Sequence, residues 1–261
     1  MISSTDQIGN IIKLDKFPKK IISLVPSQSE LLWELGLQNE LVGITKFCIH
    51  PKEMFSSITK IGGTKNINIE KIKSINPDLI IANKEENQKE QIEGLQKLFP
   101  VWISDIYNLT DALNMITELG NLLNKKISAE FLVNDVNKKF ASINKIANEK
   151  SVVYLIWQNP IMAVSSNTFI DNMLNTCGFK NLIKNKSSRY PEISTDELIK
   201  LNPDFIFLSS EPYPFKNIHI DFYKKLLPSS KVILVDGEFF SWYGSRLQYA
   251  PDYFNELLMS L

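Results

Sequence analysis

Apolar positions along the chain fall into two alternating patterns. Short β-branched or apolar runs at residues 21–25, 41–45, 79–82, 101–104, 151–157, 205–208 and 231–235 have the length of buried strands. Between and after them, residues 31–35, 85–98, 109–123, 168–176, 222–226 and 251–258 carry apolar residues at helical spacing, with Gly36 and Gly178 as stop residues. Strand alternating with helix predicts α/β lobes built on parallel sheets. The longest periodic stretch is 125–150. Ile127, Phe131, Val136, Phe140, Ile143 and Ala147 recur there at steps of three to five, Lys, Asn, Asp and Glu fill the other faces, and Gly and Pro are absent. One buried stripe on one unbroken helix is expected, running roughly 35 to 40 Å.

The chain on the two sides of this stretch repeats itself. INIEKIKSINPDLII begins at Ile67 and ISTDELIKLNPDFIF at Ile193, each an acidic residue, an amphipathic helix, Asn-Pro-Asp and an apolar strand. The two copies lie half a chain apart, far beyond the roughly 20 to 50 residues of a solenoid repeat, so a whole lobe is duplicated. The expected organisation is an amino-terminal lobe 1–124, a linker helix 125–150 and a carboxyl-terminal lobe 151–261. Asp78 and Asp204, in the paired Asn-Pro-Asp segments, read as structural turn residues because both copies keep them before a strand. Ser27 with Glu30, and Ser194 with Glu197, have capping-box spacing. Behind Ser27 the first strand runs straight into a helix, whose first-turn amides point beyond the strand's carboxyl end, where open parallel sheets bind ligands.

Composition narrows the function classes. Lys plus Arg and Asp plus Glu number 29 each, so no net field recruits nucleic acid or an anionic membrane. No apolar run has the length of a membrane span, and MISSTDQIGNIIKLDKF lacks the order of a signal peptide. Cys48 and Cys177, in different halves, read as free thiols.

Catalytic signatures are missing: no nucleophile elbow, dinucleotide fingerprint, phosphate loop or zinc-protease helix occurs, and no catalytic residue is assigned. Cys48 and His50 offer two possible metal ligands on one extended segment, too few for a zinc site by themselves, and whether they bind metal stays open. Gly62-Gly63-Thr64-Lys65 is a loop that allows close ligand approach. Phe239, Phe240, Trp242 and Tyr243 are too crowded in FFSWYGSR to enter one core from one regular element, and Arg246 supplies a cation with several donors beside them. Trp157, at the carboxyl end of a predicted strand, is expected to face the same region. Such a set suits a ligand with flat apolar faces and oxygen-bearing edges.

At this point IISLVPSQSELLWELG, IEKIKSINPDLIIA, a long connecting helix and STDELIKLNPDFIF together resemble the periplasmic binding proteins that deliver cobalamin, ferric siderophores or haem to ABC importers, over nearly the whole chain from about Lys20. The resemblance implies two Rossmann-like lobes with parallel sheets joined by a single long backbone helix, a monomer, and a ligand held in a cleft between lobes with little lobe motion. By resemblance to the cobalamin-binding branch, Trp157 and Tyr190 match second-lobe aromatics that face the corrin, and Arg246 lies near its basic contact. The first lobe departs from that branch by having Gly62-Gly63-Thr64-Lys65 together with Phe47, Cys48 and His50.

The ligand-binding set expected is therefore Phe47, Cys48, His50, Lys65, Trp157, Tyr190, Trp242, Tyr243 and Arg246. Glu70 and Asp196, at matching positions of the repeated helices, are expected to dock on the permease dimer of the importer, as glutamates do in the resembling proteins. No cofactor is implied beyond the cobalamin-like, siderophore or haem ligand. The location is periplasmic if an export signal was removed, and cytoplasmic if Met1 is the true start. With the latter goes an alternative, an intracellular metal-chelate or cofactor handler, with a catalytic role left open, using Cys48 and His50.

Overall fold

The computed structural model describes residues 2–143, 150–184 and 188–261. They form two compact units: unit 1 comprises Met1–Ile106, Thr110–Lys138 and Trp242–Gln248, and unit 2 comprises Tyr107–Leu109, Lys139–Ser241 and Tyr249–Leu261. Against the expected boundaries at 124 and 150, the division falls inside the predicted linker, between Lys138 and Lys139, and segment 242–248 packs with unit 1.

Unit 1 opens with an antiparallel hairpin, β1 (Ile2–Thr5) and β2 (Ile11–Leu14), which sequence patterning did not predict. Its sheet contains β3 (Ile21–Ser23), β4 (Leu41–Ile44), β5 (Thr59–Lys60), β6 (Leu79–Asn83) and β7 (Val101–Ser104), all parallel in the order β5-β4-β3-β6-β7. Helices α1 (Pro26–Glu34), α2 (Lys52–Ser57), α3 (Ile69–Ile75), α4 (Lys89–Gln96), α5 (Leu109–Leu122) and α6 (Lys126–Phe140) connect and follow these strands. Buried Ile22, Leu24, Ile61, Ile72, Ile80, Ala82 and Leu95 form one apolar core.

Unit 2 contains β8 (Ser151–Trp157), β9 (Met162–Ala163), α7 (Phe169–Thr176), β10 (Lys180–Asn181), α8 (Thr195–Leu201), β11 (Phe205–Ser209), α9 (Asn217–Leu226), β12 (Lys231–Val235), α10 (Gly237–Ser241) and α11 (Ala250–Met259). The order β10-β8-β11-β12 is parallel, with β9 antiparallel on β8. Its core gathers Val153, Leu155, Leu198, Ile206, Leu208, Tyr223 and Val232.

The repeated Asn-Pro-Asp does the same work in both units. Asn76 and Asn202 end α3 and α8 in the left-handed conformation, at φ 51° and 40°, which Asn tolerates better than most residues. Asp78 then accepts the Lys19 and Lys20 amides at 2.7 and 2.9 Å, ahead of β3. Asp204 accepts the Ser151 amide and hydroxyl at 2.8 and 2.6 Å, at the start of β8. These bonds, and Lys150 behind them, hold the Asp204 carboxyl down to about 2. Both acids are structural, as the repetition suggested, but as clasps on distant strand starts and not as turn residues.

Three local expectations are corrected. First, α6 stops at Phe140 instead of running to 150. Ser142 turns both its amide (3.0 Å) and its hydroxyl (2.7 Å) onto the Lys139 carbonyl, a tight turn in which the side chain competes with helix continuation. Ala147 lies outside the described residues. Second, Ile127 and Phe131 do not belong to the buried stripe. They are 83% and 76% exposed, beside a groove of about 350 Å³ that Leu35, Leu132 and Gln248 also line. Ala129, Leu132, Val136 and Phe140 are buried instead. The small Ala129 marks the contact face because α5 passes so close that a Cβ on Gly120 would lie 2.3 Å from the Ala129 Cβ. Third, Ser27 and Glu30 form no capping box. Pro26 occupies the first helical position and Val25 is the N-cap, without a side-chain bond, so Ser27 falls inside the helix. The box at Ser194 and Glu197 is formed, by bonds of 2.9 and 3.1 Å.

The corrected stripe has a measurable consequence. Val136→Ala is expected to cost about 1–3 kcal/mol in urea unfolding through the cavity it leaves, whereas Phe131→Ser stays within about 0.5 kcal/mol of the parent. Equal losses at the two positions would restore the original stripe.

Candidate functional site

Each unit has a topological switch point, the place where an open parallel sheet receives ligands. In unit 1, β4 and β5 lie on one side of β3, with β6 and β7 on the other; in unit 2, β10 lies on one side of β8, with β11 and β12 on the other. The loops beyond the carboxyl ends of β3 and β6, and of β8 and β11, are therefore the places to examine.

In unit 1 two asparagines organise this end. Asn83, the last residue of β6, accepts the amides of Glu85 and Glu86 at 2.8 and 2.9 Å in a tight side-chain turn, which delays the start of α4 to Lys89. Asn87 donates to the Leu24 and Thr64 carbonyls at 3.2 and 3.0 Å, tying the end of β3 to the glycine loop. Gly62 has φ +111°, and a Cβ there would sit 2.5 Å from the Asn66 carbonyl, so only glycine closes this turn. Lys65 at its tip donates to the Glu85 carbonyl at 2.6 Å. The Phe47 ring covers Gly63, with the Lys46 ammonium 5.1 Å from its centroid, and Phe47 is half exposed.

Segment 242–248 packs on the same unit. Tyr243 is buried and donates to Glu86 Oε1 at 3.0 Å; burial first, and the Glu86 charge second, push its hydroxyl well above the usual tyrosine range. Gly244 lies so close to α1 that a Cβ would meet the Ser27 carbonyl. Arg246 grips Glu30 side-on, Nη2 to Oε1 at 2.7 Å and Nε to Oε2 at 3.1 Å. The indole of Trp242 is buried, with the Arg246 guanidinium 4.6 Å from its centroid and the His50 ring tilted at 64° to it, centroids 5.8 Å apart. Arg246 thus differs from the ligand-orienting cation that the sequence suggested: its guanidinium is engaged by a carboxylate of its own unit, which the capping-box reading of Glu30 had concealed.

Cys48 is also corrected. It is fully buried, its sulfur 3.1 Å from both the Ser29 and Thr45 hydroxyls, and burial pushes the thiol up. It does not stand with His50 on one accessible side. Among the described residues no group of three or more His, Cys, Asp or Glu is placed to hold a metal ion.

In unit 2 the last residue of β8, Trp157, is 38% exposed. The Tyr213 ring packs on it at 65°, centroids 5.5 Å apart, and Tyr213 in turn packs on Phe215 and His219 with centroids at 4.8 and 5.4 Å. Gln158 accepts the Tyr223 hydroxyl at 2.6 Å. Tyr190 is half-buried in the loop before α8, its amide on the Ser188 hydroxyl. Phe239 and Phe240 separate from Trp242 and Tyr243: Phe239 stacks on Tyr253 at 4.7 Å, and Phe240 packs on Phe254 and Tyr154 at 4.8 and 5.3 Å. The crowded run therefore serves two cores.

Glu70 and Asp196 are both the second residue of their helices and both exposed; Glu70 also pairs with Lys73 at 2.8 Å. Sequence patterning missed Glu30, Glu86, Tyr213 and His219. The position of Glu211-Pro212-Tyr213-Pro214 just after a strand at the switch point was the available signal for Tyr213.

A family model described as periplasmic binding protein matches residues 21–225. The chain belongs to the periplasmic binding protein family. An uncharacterized ABC transporter substrate-binding lipoprotein from Bacillus subtilis is 29% identical to this family member over 218 residues, 78% of this chain and 68% of the relative. A vitamin B12-binding protein from Vibrio parahaemolyticus is 25% identical over 195 residues, 73% of this chain and 70% of its own. Among solved structures, the periplasmic catecholate-siderophore binding protein of Vibrio cholerae superposes with a TM-score of 0.79 over 100% of this chain and 99% of its own at 15% identity, a likeness of fold. This periplasmic binding protein contains, among its described residues, no helix long and apolar enough to cross a membrane.

Proposed function

We propose that this chain is the substrate-binding component of an ABC importer, outside the cytoplasmic membrane, and that its substrate is a metal chelate of the cobalamin, haem or ferric siderophore class. The observation that carries the reading is Trp157: a large indole left 38% exposed at the carboxyl end of a central parallel strand, at the switch point of its sheet. Apolar surface held open at that place suits a flat ligand. Family membership and the substrate-binding relatives support the transport role. The reading is of a binding protein and not an enzyme.

On unit 1, Phe47 is the exposed apolar contact, while His50, Lys65, Tyr243 and Arg246 hold the surface around it in place. On unit 2 the contacts are Trp157 and Tyr190. Glu70 and Asp196 are the docking acids, one from each copy of the repeat. Burial of Cys48 weighs against the intracellular alternative, which relied on Cys48 and His50 together.

Purification from the native source, or from cells grown with each chelate, followed by absorption spectroscopy, tests the proposal. Corrin, haem or ferric-chelate bands co-eluting with the protein are expected. A colourless protein that also takes up none of these chelates when they are added would overturn it.

A further inference from the structure

We propose that Tyr213 is the hydrogen-bond donor of the ligand surface on unit 2, held in position by His219, and that it selects chelates carrying an oxygen acceptor, a carboxylate or carbonyl, at the edge of a flat apolar face. This rests on the reading of the switch point beside Trp157 as a ligand surface. The geometry that carries it is a chain of bonds with only one consistent direction. The Lys216 amide, at the N-cap of α9, donates to His219 Nδ1 at 2.9 Å. A backbone amide can only donate, so Nδ1 carries no proton and the imidazole is the Nε2–H tautomer. Nε2 stands 3.1 Å from the Tyr213 hydroxyl, so the imidazole donates and the phenol oxygen accepts.

The Tyr213 proton is thereby turned away from its histidine and is available to an acceptor beyond it. The ring bearing it is clamped at the same time: Phe215 lies 4.8 Å away, Trp157 5.5 Å and His219 5.4 Å. Tyr213 and Trp157 come from the strands on the two sides of the switch point, one loop after β11 and the end of β8. An apolar indole beside an oriented hydroxyl donor recognises an edge in which a flat surface meets an oxygen. His219 touches no ligand in this scheme. It is a positioning residue, placed by its location at the third position of α9, where a side chain can reach back to the N-cap amide.

The test has one arm without ligand and one with it. Nitrogen-15 NMR of the folded chain should find His219 as the neutral Nε2–H tautomer; the Nδ1–H tautomer or an imidazolium at neutral pH would overturn the proposal whatever the chain binds. In the second arm, haemin, cyanocobalamin and a ferric tris-catecholate are titrated into the parent, Tyr213→Phe, His219→Leu and His219→Gln. Tyr213→Phe keeps the ring packing and loses only the hydroxyl, so a packing role leaves affinity unchanged. The proposal expects a loss of about tenfold or more for whichever probe binds, a similar loss in His219→Leu, and no further loss in the double variant. His219→Gln should regain most of the affinity, since its amide can accept from Lys216 and donate to Tyr213. Full affinity in Tyr213→Phe with a bound probe overturns this proposal and leaves the transport reading standing. Failure of all three probes on the parent overturns both.

Discussion

Trp157→Ala is expected to lower ligand affinity roughly 60-fold while leaving the fold intact, and Trp242→Ala is expected to do the reverse. Covering about 100 Å² of indole face with a flat ligand, at about 25 cal/mol per Å², is worth roughly 2.5 kcal/mol of binding. Trp157 is 38% exposed without ligand, so its removal opens little cavity. Trp242 is 7% exposed, packed against the Arg246 guanidinium and the His50 ring. Its loss should cost about 3–5 kcal/mol, the usual range for a buried large aromatic, and also leave the Arg246–Glu30 pair more open to water. Urea unfolding and chelate titration of both variants check the contrast. Unchanged affinity in Trp157→Ala, or a parent-like unfolding midpoint in Trp242→Ala, would reject the division of labour between these two residues.

The second large effect is expected at the acids proposed for docking. Glu70 and Asp196 occupy the same helical position in the two copies of the repeat, and both are exposed. A carboxylate in a first helical turn is locally favourable by about 0.3–1 kcal/mol, so their presence has a structural reason as well. The double variant Glu70→Lys, Asp196→Lys separates the two roles. Stability should fall only modestly, including a few tenths of a kcal/mol from the lost contact with Lys73. If the two acids face basic groups of the importer, as proposed, association should fall roughly 100-fold at low salt and then rise with added salt instead of falling, because attraction becomes a repulsion that salt screens. Chelate affinity should not change. A double variant that docks on its importer as the parent does would remove these acids from the interface.

Much of this fold was legible because the relevant signals are local. The runs that became β8 and β12 were delimited as they stand, and the Asn-Pro-Asp repeat marked Asp78 and Asp204 as structural, although as turn residues and not as the strand clasps they form. The helix from 125 failed for a reason that periodicity cannot register: a close α5–α6 approach, permitted by Gly120 and Ala129, selects the buried face, and the Ser142 side chain ends the helix without Gly or Pro. Around the candidate site, aromatic content singled out segments but not the partners of their side chains. Whether Trp242 or Trp157 is open to ligand depends on Arg246 and His50 in one case and on strand position in the other. The Glu30–Arg246 pair joins residues from opposite ends of the chain, and the Tyr213–His219 pair joins a loop residue to the first turn of α9, a contact that no periodicity encodes.

The most direct measurement is equilibrium titration of the purified, chelate-free chain with cyanocobalamin, haemin and a ferric tris-catecholate, followed by tryptophan fluorescence in the parent and in Trp157→Phe. One of the three should bind with a dissociation constant below about 1 μM, near −8 kcal/mol, and quench a signal that Trp157→Phe largely removes. Binding of none of them, or quenching that survives in full without Trp157, would contradict a metal-chelate surface at this strand end.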